Sequence, residues 1–283
     1  MSGHVSWRAG GPVARAYFPA DLDDLAAFFA GTRFDEPLLV VGLGSNLLVR
    51  DGGFDGTAVF TQGALDGLRR EADGSIYCEA GVGSPKLARF ALGEGLVGGE
   101  FLAGIPGTVG GALAMNAGCH GGETWNCVER VLMLNRRGER IVRSREDFQV
   151  GYRHVGLKKE TDEMFAAAWL RFAPGDAEAA RQRMREYLDK RAATQPLQLP
   201  NAGSVFRNPP DDHAARLIEA AGLKGLAEGG ARVSEKHANF IVNPDGRATA
   251  AEIETLIGRV QASVLEKFAV ELQREVRIVG VRP

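Results

Sequence analysis

Seven glycines fall within the twenty residues from Ala103 to Gly122, AGIPGTVGGALAMNAGCHGG, and no other stretch narrows the possible folds as much. Without Cβ atoms a backbone takes positive φ readily and lets another body approach its amides, at an entropic cost relative to alanine. Such a run is expected to make little core and to bring main chain close to a partner. A second glycine turn lies upstream in VVGLGSNLLVRDGG, Val40 to Gly53. There the apolar run Leu38 to Val41 predicts a buried strand, and Gly42, Gly44, Ser45 and Asn46 predict a tight turn after it. Successive N–H groups in such a turn form an anion-binding nest, so the expected ligand is flat and phosphorylated. The dinucleotide fingerprint would need a third glycine at Leu47 and a helix to follow. Apolar Leu47 to Val49 and then Asp51, Gly52 and Gly53 predict a short strand and a turn, so the phosphate loop lies between strands.

The rest of the composition excludes more than it selects. The 37 glycines among 283 residues are the main departure from an ordinary soluble globule, since glycine averages about 7%. A net charge of −2 supplies no basic field for nucleic acid or an anionic membrane, so phosphate binding must be local. No apolar run approaches a membrane span, and the opening MSGHVSWRAGG lacks a signal-peptide core, which predicts a cytoplasmic protein. Cys78, Cys119 and Cys127 form no CxxC pair and are odd in number, against a disulfide framework. Cys119, His120 and Cys127 fit no common zinc spacing, so no metal is expected, and the cysteines read as packing residues.

Along the chain, Asp21 predicts an N-cap for a helix with Leu22, Leu25, Ala26 and Phe29 on one face. Strands are expected at Leu38 to Val41, Ala58 to Thr61 and Ile76 to Ala80. Ser84 reads as the cap of a helix with Pro85 at its first position, ending near Gly95. A hairpin follows, Val128 to Leu134 and Arg140 to Val142, then a capped turn at Ser144 and Asp147, a strand at Met164 to Phe172, and a solvated helix from Asp176 to Thr194. The tract QPLQLPN, Gln195 to Asn201, marks the clearest boundary. Beyond it come a helix at Ala214 to Ala221 stopped by Gly222, a strand at His237 to Asn243, a helix capped by Thr249 and Glu252, and a last strand at Leu272 to Val279.

Three polar residues stand where chemistry would need them: Arg153 in GYRH, Ser204 after the proline tract, and Glu275 in LQREVRIVG. An arginine offers a permanent planar cation for a carboxylate or developing enolate. Ser204 offers a proton donor or nucleophile, and the absence of a GxSxG elbow around it argues against hydrolase chemistry. Each also has a plain reading: a surface ion pair for Arg153, a turn residue for Ser204, an exposed strand residue for Glu275.

Six blocks in order change that balance. VGLGSNLLVRDGGF, GIPGTVGGALAMNAGCHGGE, GYRH, NAGSVFRNP, GGARVSEKHANFIVN and the final EVRIVG together resemble the MurB family of UDP-N-acetylenolpyruvoylglucosamine reductases, nearly end to end. The resemblance implies an α+β chain with a vanillyl-alcohol-oxidase-type FAD-binding fold, its two subdomains at residues 1–63 and 64–194, and a small α+β substrate-binding domain at 195–283. It implies non-covalent FAD held by Val41, Gly42, Gly44, Ser45, Asn46 and Leu47 of the first loop. From the second loop it implies Gly104, Pro106, Gly107, Thr108, Gly110, Gly111, Asn116, Ala117 and Gly118. NADPH is implied as the hydride donor and UDP-N-acetylglucosamine enolpyruvate as the substrate, reduced in a ping-pong cycle by a monomer. By motif position Arg153 and Glu275 would stabilise the enolate, Ser204 would protonate it, and Tyr152, Asn208, His237 and Asn239 would line the substrate side. This chain departs from the family at Val155, Gly156 and Leu157, where serine and an aromatic residue usually follow GYRH. Only 51 residues separate Arg153 from Ser204, as in the branch without the tyrosine-bearing loop, and Tyr187 reads as a partly buried helix residue. A flavin oxidase of the same superfamily and a non-catalytic nucleotide-binding module are the alternatives.

Overall fold

A computed structural model describes residues 1–159 and 161–283. Its α-helices are α1 (Leu22–Gly31), α2 (Ser84–Gly93), α3 (Val109–Met115), α4 (Ala177–Thr194), α5 (Ala214–Ala220) and α6 (Ala250–Phe268). The chain divides into two units, each discontinuous in sequence: Met1–Ala14, Leu43–Gly56 and Arg191–Pro283 form the first, Arg15–Gly42 and Thr57–Lys190 the second.

The second unit is built on a five-stranded antiparallel sheet. Its strands run in the order Arg140–Ser144, Val128–Asn135, Glu163–Leu170, Ile76–Glu79 and Leu68–Arg70. Because side chains alternate across a strand, the sheet feeds two cores. Val131, Met133, Ile76 and Cys78 join Leu87 and Ala91 of α2 and Val109 and Leu113 of α3 on one side. Leu132, Leu134, Tyr77 and Ala167 join Leu25 and Phe29 of α1 on the other. Helix α1 starts where the sequence predicts, with the Asp21 carboxylate accepting the Asp24 N–H at 2.8 Å. Leu38–Val41 pairs in parallel with residues 57–60.

The first unit gathers around α6. Ile253, Leu256, Ile257, Val260 and Val264 form its buried stripe, packed with Trp7, Leu48, Leu217 and Ile218. Thr249 and Glu252 make the expected reciprocal capping box. A further cap comes from far away in sequence: the Asp51 carboxylate accepts the N–H groups of Ala250 at 3.0 Å and Ala251 at 2.8 Å. Leu47–Val49 pairs in parallel with Arg277–Val279, and Trp7 donates its indole N–H to the Ile241 carbonyl at 2.7 Å.

The structure corrects several expectations. The glycine-rich stretch does contribute to the core, through Ala103, Ile105, Val109 and Leu113, because its glycines let a 3-10 turn and α3 pack tightly between them. Gly83, not Ser84, is the N-cap residue of α2, and Ser84 is the first helical residue with its side chain fully buried. His237–Phe240 is a turn closed by the Phe240 N–H on the His237 carbonyl at 3.0 Å, and only Ile241–Val242 is strand. Likewise Leu272–Val276 is irregular apart from one bridge, Phe206 to Arg274, because its main chain bonds the Ser204 segment instead of extending the strand at Arg277–Val279.

Candidate functional site

In the first unit, four of the singled-out residues share one backbone network. Ser204 precedes Val205, whose N–H donates to the Asn239 carbonyl at 2.9 Å and whose carbonyl accepts the Glu275 N–H at 2.8 Å. The two candidate acids therefore flank a single peptide-level contact. Asn46, from the first glycine turn, donates its amide N–H to the Glu275 carbonyl at 3.2 Å and accepts the Arg277 N–H at 3.0 Å on its own carbonyl. The turn expected to hold a phosphate thus also anchors the backbone of Glu275. Its Gly44 has φ +61, and a Cβ there would collide with the main chain of His4 and lie 2.8 Å from the Cα of Val5. Gly44 is demanded by the protein's own packing.

The residues expected on the substrate side divide in character. Asn208 is exposed, with its side-chain oxygen accepting the Ala214 N–H at the start of α5 at 3.1 Å. His237 is half-buried and stacks edge-on against Phe240. Desolvation holds its pKa below the ordinary histidine value, so the imidazole is neutral near pH 7. Asn239 is 4% exposed and its amide is engaged with the Phe206 backbone. Arg207, next along, places its Nε in the interior with no hydrogen-bond partner among the described residues, a feature the sequence did not signal.

In the second unit, Arg153 and Tyr152 form the two-residue turn of the hairpin Phe148–Gly151 and His154–Leu157. Arg153 has φ +51, a region where glycine or asparagine is the usual occupant. Holding a long cationic side chain there costs on the order of 1 kcal/mol or more, and such strain concentrates at functional sites. Its guanidinium donates to the carbonyls of Asn116 at 3.3 Å and Gly118 at 2.8 Å, and lies 5.0 Å from the centroid of the exposed Tyr152 ring. Asn116, buried and left-handed at the end of α3, completes the junction. Its amide donates to Glu123 at 3.0 Å and to the Gly151 carbonyl at 3.1 Å, and accepts the Trp125 N–H at 3.1 Å. The second glycine loop thus carries the arginine turn. Val155, Gly156 and Leu157 belong to the hairpin and border a cavity of about 740 Å³ with Met133, Phe148 and Phe165.

The glycines of the two glycine-rich loops are not equivalent. Gly42 lies against the Thr108 side chain and Gly118 against the Gly122 carbonyl, while a Cβ on Gly104 would come within 2.9 Å of Cys119 Sγ and one on Gly110 within 2.9 Å of the Ala80 Cβ. Val41 and Leu47 are buried, and their main chain is engaged by the protein itself, the Val41 carbonyl accepting the Thr61 N–H at 2.9 Å and Leu47 pairing with Arg277. Gly107 takes φ +131 and its carbonyl accepts the Ser84 N–H at 3.0 Å. Thr108 caps α3, Pro106 is exposed at the surface, and the Ala117 carbonyl accepts from Thr124. At Gly83 and Gly111, by contrast, a Cβ would meet nothing nearer than 3.9 Å. Next to Gly83 the buried Ser84 hydroxyl has no partner among the described residues. Open glycine backbone beside an orphaned hydroxyl suits a polar ligand lying along the loop, and so fits FAD. Burial pushes the Cys78 and Cys127 thiols up, so neither is a reactive thiolate. Among the described residues no group of three or more His, Cys, Asp or Glu is placed to hold a metal ion, and no helix is long and apolar enough to cross a membrane. Tyr187 is half-buried and stacks on His120 at 4.2 Å between ring centroids.

Comparison with known proteins places these features in a class. The family described as an FAD binding domain matches residues 13–144, and the C-terminal domain of UDP-N-acetylenolpyruvoylglucosamine reductase matches residues 195–279. The fold is thus that of a flavoprotein with a second, reductase-type domain after it. UDP-N-acetylenolpyruvoylglucosamine reductase of Legionella pneumophila strain Corby is 56% identical over 281 residues, covering 99% of this chain and 90% of that protein. The same-named protein of Thiobacillus denitrificans is 55% identical over 295 residues, covering 100% and 91%. The crystal structure of UDP-N-acetylenolpyruvylglucosamine reductase (MurB) from Thermus caldophilus matches with a TM-score of 0.84 at 32% identity, covering 100% of this chain and 97% of that one. The chain belongs to the UDP-N-acetylenolpyruvoylglucosamine reductase family.

Proposed function

We propose that the protein reduces UDP-N-acetylglucosamine enolpyruvate to UDP-N-acetylmuramate at the expense of NADPH, a step of peptidoglycan synthesis. The observation that carries this reading is the family relation over essentially the whole chain at 55–56% identity, with Arg153, Ser204 and Glu275 at their motif positions. The superfamily oxidase is not favoured by these relatives. Residues 1–63 and 64–194 serve as the FAD-binding subdomains and 195–283 as the substrate domain. The enzyme works as a cytoplasmic monomer, supporting cell shape and the division cycle through the cell wall.

The first glycine turn and the loop Gly104–Gly118 would hold FAD through main chain. Bound there, FAD would supply the hydride chemistry that couples NADPH to the terminal vinyl carbon of the substrate. Negative charge then develops on the carboxylate as an enolate. Arg153, already fixed by two carbonyls of the glycine loop, is a cation needing little reorganisation to stabilise that charge. The Ser204 hydroxyl gives its proton to the carbon bearing the carboxylate. A hydroxyl is a weak acid, so the step depends on its placement against a strongly basic intermediate. Glu275, tied by its N–H to Val205, supports the same centre, as a neutral hydrogen-bond donor beside the substrate carboxylate. Tyr152, Asn208 and His237 complete the substrate side.

The purified protein should be yellow, should release its flavin on denaturation and should bleach anaerobically with NADPH. In Ser204→Ala, reduction by NADPH should stay near the parent rate, while reoxidation by the enolpyruvyl substrate slows by about 100- to 10,000-fold, the range for loss of a general acid. Equal slowing of both half-reactions would refute the assignment.

A further inference from the structure

We infer that Asn239 is a positioning residue for the proton donor Ser204, acting through the backbone of residues 205–206 without touching substrate. The inference rests on the function proposed above. Asn239 is 4% exposed. Its side-chain oxygen accepts the Phe206 N–H at 3.0 Å and its amide N–H donates to the Phe206 carbonyl at 2.8 Å. Its own carbonyl accepts the Val205 N–H at 2.9 Å. A carboxamide carries its acceptor and its donor on separate atoms, so it can accept from an N–H and donate to a C=O of one residue at once, and Asn239 thereby stands in for a neighbouring strand along the segment that follows Ser204. The other side of that segment is held by the Glu275 N–H on the Val205 carbonyl at 2.8 Å and the Arg207 N–H on the Gln273 carbonyl at 2.8 Å.

The segment therefore has one clamp on each side, and Asn239 supplies all of the first. The Asn239 backbone is itself fixed, its N–H donating to His237 Nδ1 at 3.3 Å, a bond that uses the imidazole lone pair of the neutral ring. Loss of the amide would let residues 204–206 shift towards the Glu275 side. A shift of about 1 Å at a catalytic group can cost on the order of 100-fold in rate. The same shift should leave flavin reduction alone, because Ser204 takes no part in it.

A double-mutant cycle on the holoenzyme tests this by rapid-reaction kinetics, using parent, Asn239→Asp, Ser204→Ala and the double variant. Asp keeps the acceptor for the Phe206 N–H and loses the donor to the Phe206 carbonyl. Asn239→Asp should slow flavin reoxidation by the enolpyruvyl substrate by about 10- to 100-fold, with reduction by NADPH within about twofold of the parent. In the Ser204→Ala background the same change should cost less than about threefold, since no hydroxyl remains to be misplaced. Equal slowing in both backgrounds, or a parent-like rate for Asn239→Asp, overturns the positioning role while leaving the proposed function intact. A Ser204→Ala enzyme that reoxidises at the parent rate overturns both. Asn239→Ser, which removes the carboxamide without adding a charge, is carried through the same cycle in case the carboxylate prevents folding. Amide hydrogen exchange provides a check independent of activity: residues 205 and 206 should exchange at least about tenfold faster in the variants, and unchanged exchange there refutes the clamp.

Discussion

Removing the Asp51 carboxylate should loosen α6 from a point 199 residues away in sequence. The first N–H groups of a helix have no partner within it, and Asp51 takes those of Ala250 and Ala251 at 3.0 and 2.8 Å. The capping box does not replace them, because Thr249 and Glu252 serve each other and Glu252 also accepts the Gly230 N–H. Ala250 is fully buried, so its N–H would be left unmet in Asp51→Ala, whereas the exposed Ala251 N–H can turn to water. Loss of a cap typically costs about 0.5–2 kcal/mol, and loss of a negative charge at the helix N-terminus about 0.3–1 kcal/mol more. Taking about 2 kcal/mol for the sum, and about 2–4 °C per kcal/mol for a protein of this size, the midpoint should fall by about 4–8 °C. Asp51→Asn keeps an acceptor without the charge and should lose about half as much. Thermal unfolding at one fixed scan rate, followed by circular dichroism, makes the comparison. A midpoint for Asp51→Ala within about 1 °C of the parent would refute the reasoning, as would Asn being no better than Ala.

Two glycine substitutions should separate ligand contact from self-packing. Gly111→Ala meets open space inside α3 and should stabilise the apoprotein by about 0.5–1 kcal/mol while weakening FAD retention; Gly44→Ala, strained and against its own backbone, should lower both. Equilibrium dialysis beside apoprotein melting reads each, and unchanged FAD affinity in Gly111→Ala would count against the second loop as the cofactor cradle. Glu275→Gln should retain clearly more reoxidation activity than Glu275→Asp, because it mimics the hydrogen bonds of a neutral acid at full length; an Asp enzyme that outperforms Gln in stopped flow would mean Glu275 acts as an anion or a true acid. Hydrogen bonds from Arg50 at 2.8 and 2.9 Å hold the Glu254 pKa below the ordinary glutamate value. Its folded-state pKa being depressed, the stability it confers is present above the unfolded pKa of about 4.3 and is lost as pH falls through the folded one. Acid titration of unfolding in parent and Glu254→Gln should therefore converge only below about pH 4, and curves that stay parallel across that range would contradict the linkage.

The sequence signals that proved legible were local ones. Asp21 and the Thr249–Glu252 box each declare themselves within a few residues, and both appear in the structure. Ser84 misled because a serine before proline looks like a cap whether or not its hydroxyl faces the helix end, and here burial decided otherwise. His237–Asn243 misled because an apolar run with β propensity cannot reveal that its first half folds back to meet Val205 and Phe206. In the same way, the residue types at Arg153, Ser204 and Glu275 suggested chemistry. Their backbone anchors, Asn116 and Asn239 above all, depend on partners more than thirty residues away that no spacing rule connects.

The parallel pairing of Leu47–Val49 with Arg277–Val279 also sets an order of events during synthesis. A ribosome releases Trp7 and Gly44 early, yet the Ile241 carbonyl that receives the Trp7 indole and the strand that shelters Leu48 arrive more than two hundred residues later. Residues 15–42 and 57–190 can condense while translation continues, since domains tend to fold as they emerge. The first glycine turn has to wait: its Asn46 finds the Glu275 carbonyl and the Arg277 N–H only after those residues have left the exit tunnel. A nascent chain halted before residue 272 would therefore carry the second glycine loop already formed and the first held only by its contacts with residues 4–6, its Asn46 still without the partners that fix it.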